Sequence, residues 1–305
     1  LVVRYQADGS LDTGFGSGGI VGSRPSGGEG VVLHDIAVAP DGRAIAVGGR
    51  NERSGGIGVP SGVVLAYRPD GSRDAGFAGG GRILFKGTSK GAYSSLRSIA
   101  ILPSGKILVA GYRNDRLFLA RLDPNGRLDR SFSHDGVATL DVANPPCCQT
   151  VALAIQSDHR IVVAANGGPL RKSRVYLVRY LPKGRLDRSF GDGGVQAPFS
   201  SWRLNEVTDV AIQGNGGILT VGRGERTKAN PRAFAFSIFR NHRNGRPDRS
   251  FGREGLLTLR NGAESLVGAA LPLPGGAVLT GGSFATAEPG RRYATTLLLA
   301  RLLGS

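Results

Sequence analysis

The segment RLDRSFGDGG at residues 185–194 recurs in near copies at residues 10–19, 72–81, 127–136 and 246–255. Aligned on Asp12, Asp74, Asp129, Asp187 and Asp248, the copies stand 62, 55, 58 and 61 residues apart. A period this long implies units too small to bury their own apolar faces, which gain a continuous core only by stacking into a solenoid, propeller or array.

Each period runs the same way. A short β-rich stretch ends in a turn, as in DIAVAPDGR, SIAILPSGK, ALAIQSDHR and DVAIQGNGG; a second follows, as in AIAVGG, ILVAGY, IVVAAN and ILTVGR. A loop of variable length leads to a third, such as LFLARLDPNG or YLVRYLPKG, then the recurring motif, then a fourth such as VATLDV or LLTLR. Apolar or alternating runs separated by Asp-Gly, Asn-Gly and Pro-x-Gly turns are antiparallel hairpins. No amphipathic helical period interrupts them. The fold class expected is all-β, a β-propeller of four-stranded antiparallel blades. Residues 1–305 form one domain in this reading, with repeats at 1–61, 62–114, 115–173, 174–231 and 232–293 and a closing strand at 294–305. Third-strand copies number six, against five of each other strand. The chain therefore shows five repeats, either as a five-bladed ring or as the remnant of a six-bladed parent.

The motif has a mechanical reading. Its first glycine (Gly9, Gly71, Gly126, Gly184, Gly245) supplies the positive φ of a tight turn. The aspartate three residues later can accept from nearby backbone N–H groups as an Asx turn. Phe15, Phe77, Phe132, Phe190 and Phe251 are then placed to plug the gaps between neighbouring blades. Five residues before the turn glycine stands Arg4, Arg121, Arg179 or Arg240, with Ala66 the exception, so an Arg–Asp bridge across the hairpin is expected. Calcium is not: the place of Asp123 in DPNGRLD holds Gln6, Arg68, Leu181 and Arg243 elsewhere, and ligands do not scatter so.

The stretches LARLDPNGRLDRSF, VRYLPKGRLDRSFGDGG and VAIQGNGGILTVG resemble the delta-sixty repeat family of bacterial β-propellers, over essentially the whole chain. The resemblance implies a secreted or cell-surface bacterial propeller and brings no catalytic residue set. Members of that family tend to open at the LD-SFG segment and close with an LARY-like strand; this chain closes so, with TTLLLARLLGS, but opens one strand earlier, at LVVRY.

Composition narrows function less. The formal charge of +16 suits an anionic partner, yet only six of the 39 basic residues are Lys, the bias a GC-rich genome produces unaided. The start has neither Met nor a signal-peptide pattern, so either a leader has been removed or upstream sequence is not included. No apolar run is long enough for a transmembrane helix. Cys147 and Cys148 are too few for a zinc site or a disulfide framework; they are two free thiols or a vicinal disulfide. No HExxH, GxxxxGK or GxSxG pattern is present, and no metal or cofactor is expected. His134, His159 and His242 fall in or beside turns, as solvated residues do.

Loop lengths point to a functional face. The connections between first and second strands and between third and fourth are nearly uniform, while the other two vary and lie on one face of a propeller. Repeat proteins bind through the face that carries their insertions. The variable loops hold Arg50, Arg53, Arg113, Arg116, Arg171, Arg174, Arg223, Arg226, Arg291 and Arg292, forks suited to carboxylate, sulfate or phosphate. Arg171, Arg226 and Arg292 are the ligand-binding candidates among them. Around the channel mouth the expected residues are His34, Asp35, Tyr93, Arg97, Trp202, Glu206 and Asp209, which differ between repeats and so are free to form one asymmetric site.

Two functions follow as expectations. The first is a non-catalytic, extracytoplasmic propeller that binds an anionic polysaccharide or a protein partner; nucleic acid is disfavoured because the loops lack interleaved aromatics for base stacking. The alternative is a hydrolase or lyase acting on acidic polysaccharide, with Asp35, Asp209, Glu206 and His34 as acid and base, Arg97 holding the acidic sugar and Trp202 stacking on a ring.

Overall fold

The computed structural model describes residues 1–22, 30–51, 60–88, 93–141, 150–167, 174–197, 204–224, 235–259, 264–286 and 294–302. These residues are built from antiparallel sheets, with short 3-10 turns such as Phe77–Gly79 and no α-helix among them. No helix there is long and apolar enough to cross a membrane. The chain divides into two compact units, Leu1–Asp141 and Val142–Ser305.

In the first unit, β1 (Val2–Val3) pairs with β2 (Ile20–Val21). Two four-stranded sheets follow. Blade 1 is β3 (Gly30–Val38), β4 (Ala44–Asn51), β5 (Pro60–Tyr67) and β6 (Arg82–Phe85); blade 2 is β7 (Ser94–Ile101), β8 (Ile107–Arg113), β9 (Arg116–Leu122) and β10 (Val137–Leu140). In the second unit, blade 3 is β11 (Val151–Ile155), β12 (Ile161–Gly167), β13 (Arg174–Tyr180) and β14 (Val195–Gln196). Blade 4 is β15 (Leu204–Ile212), β16 (Ile218–Gly224), β17 (Ala235–Asn241) and β18 (Leu256–Leu259), and blade 5 is β19 (Glu264–Pro272), β20 (Val278–Thr286) and β21 (Ala294–Leu302). Strands bond in chain order within every sheet, the order of a propeller blade.

The second and third strands read as continuous apolar runs because both their faces are covered. Ile45, Ala46 and Val47 of β4 are fully buried, as are Leu108, Val109 and Ala110 of β8 and Val162, Val163 and Ala164 of β12. Successive blades share a core: Val47 and Val64 pack with Ile99 and Val109 in the first unit, and Ala164 and Leu177 with Val207 and Val210 in the second.

The recurring motif locks its hairpin and, in the copies at Asp12, Asp74 and Asp187, ties it to the following blade of the same unit. Its aspartate accepts from the arginine eight residues earlier: Arg4–Asp12 at 2.6 Å, Arg121–Asp129 at 2.7 Å, Arg179–Asp187 at 2.8 Å and Arg240–Asp248 at 2.7 Å. The other carboxylate oxygen accepts from the backbone N–H two residues on, at 3.1 Å in Asp187 and Asp248. The same guanidinium lies 4.5–4.8 Å from the ring of Phe15, Phe132, Phe190 or Phe251, a cation–π contact. In blade 1, where Ala66 replaces the arginine, Arg43 reaches Asp74 at 3.1 Å from the β3–β4 turn. Arg4, Arg43 and Arg179 also donate to the turn carbonyls of Pro69, Pro124 and Arg243 in the following blade.

The phenylalanine sets the turn glycine. Phe77 and Phe190 are fully buried beneath the turns of blades 2 and 4, where a Cβ on Gly126 or Gly245 would stand 2.8 or 2.7 Å from the ring. Both glycines also have positive φ, +84° and +89°. The N–H after the phenylalanine bonds the next turn: Gly16 to Asp70, Ala78 to Asn125 and Gly191 to Asn244. One motif thus caps its own hairpin and seats its neighbour.

Three stability predictions follow. Asp187→Ala strands the nearly buried Arg179 and should cost about 3–5 kcal/mol, and Gly245→Ala, strained and overpacked, more than about 1 kcal/mol; urea unfolding of each variant measures both. Burial alone would raise the Asp129, Asp187 and Asp248 pKa values, but hydrogen bonds from Ser131, Ser189, Ser250 and Lys106, together with the neighbouring arginines, hold all three below the usual carboxylate range. Groups depressed in the folded state stabilise it above their unfolded pKa, near 3.9. Stability should therefore hold from neutrality to about pH 5 and fall steadily below about pH 4, as a pH series of urea midpoints will read.

Candidate functional site

The first strand of four blades carries a β-bulge at the same place. Register slips by one residue between Leu33 and Asp35, Leu96 and Ser98, Val207 and Asp209, and Val267 and Ala269. The extra residues are His34, Arg97, Thr208 and Gly268. A glycine on the second strand makes the slip possible: a Cβ on Gly48, Gly111 or Gly222 would come within 2.0, 2.0 or 2.1 Å of the carbonyl oxygen of Val32, Ser95 or Glu206. Blade 3 has Ala165 there, and Val151 pairs with it in unbroken register. Bulges re-aim side chains and occur beside active sites. The scaffold here repeats while the displayed side chain changes.

Adjacent bulges in the first unit bring His34 and Arg97 together. Nη1 of Arg97 lies 3.1 Å from Nε2 and 3.3 Å from Nδ1 of the imidazole. Partial burial and, second, the Arg97 charge push the His34 pKa down to about 4. The ring is therefore neutral at pH 7 while the guanidinium keeps its charge. This pair, still open to solvent, offers a base and an anion-binding fork side by side.

Asp35 and Asp209 have another task. Oδ2 of Asp35 accepts from the Ile99 N–H at 2.9 Å and from the Ser98 hydroxyl at 3.1 Å, both on the next blade, while Oδ1 accepts from the Ile36 N–H at 2.8 Å. Asp209 repeats the arrangement, with Oδ2 taking the Ala270 N–H at 3.0 Å and Oδ1 the Val210 N–H at 2.8 Å. Blade 3 has Ala152 at this place, and Asn166 substitutes by accepting from the Val207 N–H at 3.0 Å. These side chains latch one blade to the next. Glu206 is held at 3.0 Å by Arg223.

Tyr93 stands at the entry to β7, its carbonyl accepting from the Asn114 N–H at 3.1 Å. Arg113 donates to the Lys86 carbonyl at 2.8 Å, Arg116 is 3.9 Å from Asp141, and Arg50 is buried. Trp202, Arg171, Arg226 and Arg292, with Cys147 and Cys148, lie outside the described residues. Among the described residues, no group of three or more His, Cys, Asp or Glu is arranged to hold a metal ion. The bulge was missed in the sequence, although the glycines of AVGG, VAGY and TVGR, broken by VAAN, are its signal.

A family model described as a domain of unknown function, DUF5122 beta-propeller, matches residues 1–15 and 102–132. No match was found among curated proteins. Solved structures similar to this chain include Drosophila Semaphorin 1b, extracellular domains 1-2, at 12% identity and TM-score 0.47, covering 89% of this chain and 54% of that one. The chain thus spans about half the length of that structure. The α-L-arabinofuranosidase Arb93A from Fusarium graminearum is similar at 11% identity and TM-score 0.44, covering 89% and 93%. A polysaccharide lyase, an ulvan lyase of family PL25, is similar at 8% identity and TM-score 0.45, covering 88% and 70%. Glycosidases, a mannose phosphorylase and this lyase stand among the similar structures. The expectation of a non-catalytic binding module is corrected to this extent: enzymes acting on carbohydrates stand among the structures similar to this chain.

Two outcomes are expected of the bulge. Gly111→Ala, whose Cβ meets backbone, should lower stability by about 1–3 kcal/mol and move Arg97, read by urea unfolding and by the His34 ring resonances. The His34 imidazole should titrate near pH 4 in NMR, and higher once Arg97→Gln removes the adjacent charge.

Proposed function

We propose that the chain is a lyase acting on acidic polysaccharide, with His34 and Arg97 at the centre of its site. The carrying observation is the contact of a neutral imidazole with a guanidinium on adjacent bulges. Hydrolysis of a glycosidic bond calls for two carboxylates flanking it. The candidate carboxylates are committed elsewhere, Asp35 and Asp209 to backbone N–H groups and Glu206 to Arg223. β-Elimination makes a different demand. The uronate carboxylate must be neutralised so that the proton on C5 becomes acidic, a base must take that proton, and the C4–O bond must break as the C4=C5 double bond forms.

Arg97 supplies the first requirement through charge-assisted bonds to the carboxylate. His34 takes the C5 proton as base. A pKa of about 4 makes it a weak base in the free protein, and a carboxylate seated on Arg97 offsets the smaller, Arg97 part of that depression. The departing O4 takes up a proton from water, to which the pair is open. The neutral His34 of the free protein gives kcat/KM an acid limb with its midpoint at about pH 4. The substrate class and the secreted delta-sixty resemblance agree with an extracytoplasmic propeller.

Incubation with polygalacturonate, alginate and sulfated polyuronates, followed by the ultraviolet absorbance of the unsaturated product, tests the reading. His34→Ala should lower turnover about 10²–10⁴-fold and Arg97→Ala about 10²–10³-fold, with both variants folded by circular dichroism. Absence of unsaturated product from every uronate polymer, or reducing ends formed without unsaturation, would refute the lyase reading.

A further inference from the structure

The two bulged residues of the first unit are the ones that the strand ladder does not hold. His34 falls in the register slip between Leu33 and Asp35, and Arg97 in the slip between Leu96 and Ser98, so neither is paired across its own hairpin. Their contact runs between side chains open to solvent, and a flexible arginine keeps such a contact only at a cost in rotamer freedom. Their separation is therefore set by the next tie along β3 and β7.

That tie is the Asp35 carboxylate. Oδ1 accepts from the Ile36 N–H at 2.8 Å, on its own strand, which fixes the direction in which Oδ2 points. Oδ2 takes two donors from β7, the Ile99 N–H at 2.9 Å and the Ser98 hydroxyl at 3.1 Å. Asp35 directly follows His34 in the chain, and Ser98 directly follows Arg97. The junction of blades 4 and 5 shows what cohesion alone requires. Asp209 there makes the same bond to its own strand, at 2.8 Å, and the same bond to a backbone N–H of the next blade, at 3.0 Å. Ala269 stands in the place of Ser98 and has no hydroxyl to give, and the bulged residues are Thr208 and Gly268. The additional donor thus occurs at the junction where the displayed side chains meet. Ser98 is only 7% exposed, so little water competes for its hydroxyl, and a bond to a charged acceptor is among the stronger ones.

We propose that Ser98, acting through Asp35, is a positioning residue for the His34–Arg97 pair. The bond to the Ile99 N–H holds the two blades together, as its counterpart does in blades 4 and 5. A single bond leaves a pivot, whereas a second donor one residue away fixes the line of β7 against β3. Arg97, next to that second donor, is thereby kept within reach of the imidazole. For its effect on catalysis the proposal rests on the lyase reading: a base and an anion-binding fork displaced by about 1 Å no longer meet the C5 proton and the carboxylate of one sugar.

Ser98→Ala, which removes the hydroxyl, and Ser98→Thr, which keeps it, are the variants, both checked for folding by circular dichroism. The first readout is the NMR titration of the His34 ring in the free protein. Burial and, second, the Arg97 charge hold its midpoint down to about 4 in the parent. In Ser98→Ala the guanidinium is no longer kept against the ring, so the midpoint should move upward, toward that of Arg97→Gln, while Ser98→Thr should keep the parent's. Asp35 retains its charge in both variants, and a Ser98 that served cohesion alone would lower the urea midpoint without moving the titration. On uronate polymers Ser98→Ala should lower kcat by about tenfold or more, and Ser98→Thr should restore it. A His34 midpoint unmoved or lowered in Ser98→Ala, or raised equally in Ser98→Thr, overturns the proposal, as does parental turnover in Ser98→Ala. The titration is read without substrate, so a parent inactive on every uronate would refute the lyase reading and leave the positioning role to be decided by the ring resonances.

Discussion

The motif aspartate is the interaction on which the rest of the structure depends. One oxygen closes the turn through a backbone N–H, and the other holds an arginine that crosses the hairpin and lies over the motif phenylalanine; Arg4 and Arg179 also reach a carbonyl of the next blade. Sheets of this size expose too much apolar surface to stand alone, so each must be aligned on its neighbour before its core is dry. A charge pair with a fixed fork supplies that alignment where hydrophobic contact, being non-directional, does not. In blade 1, which lacks the arginine, Arg43 of the β3–β4 turn holds the carboxylate from the place where Lys106 and Arg160 also reach Asp129 and Asp187, and it alone of these donates to the equivalent carbonyl, that of Pro124.

A second device works at the opposite end of the strands. The bulge opposite Gly48, Gly111 and Gly222 adds one residue to the first strand without disturbing the register beyond it, and that residue is free to vary. Where it is His34 and Arg97 the two meet; Thr208 and Gly268 hold the same backbone place in blades 4 and 5. The residue after the bulge does the opposite work. Asp35 and Asp209 bind the neighbouring backbone, so the variable side chain and the cohesive one stand at consecutive positions. That division is why the carboxylates fit a latch, and why the proposed function is placed on a neutral histidine beside an arginine.

The fold was legible because its signals are local and repeated. Turn glycines, apolar runs and the sixty-residue period each report a nearby backbone requirement, and five copies make the pattern plain. The Arg–Asp bridge was readable for the same reason, from a fixed spacing of eight residues. Of the candidate site, His34 and Arg97 were each legible from their place in the repeat, but their contact was not, because they stand 63 residues apart. The glycine that permits each bulge belongs to another strand, so it reads as an ordinary break in a β-run.

The amino-acid sequence by itself determined the class of fold, the order of strands and the mechanical role of the motif, because hairpin geometry and turn chemistry are settled within a few residues. Only the tertiary structure decided which polar side chains bind the backbone of the next blade and which meet one another, because both depend on register and on strands far apart in the chain. Asp35 and His34 are adjacent in the chain and equally polar. Their fates diverge because a one-residue slip in register turns one toward the amides of the next blade and leaves the other facing Arg97 and solvent.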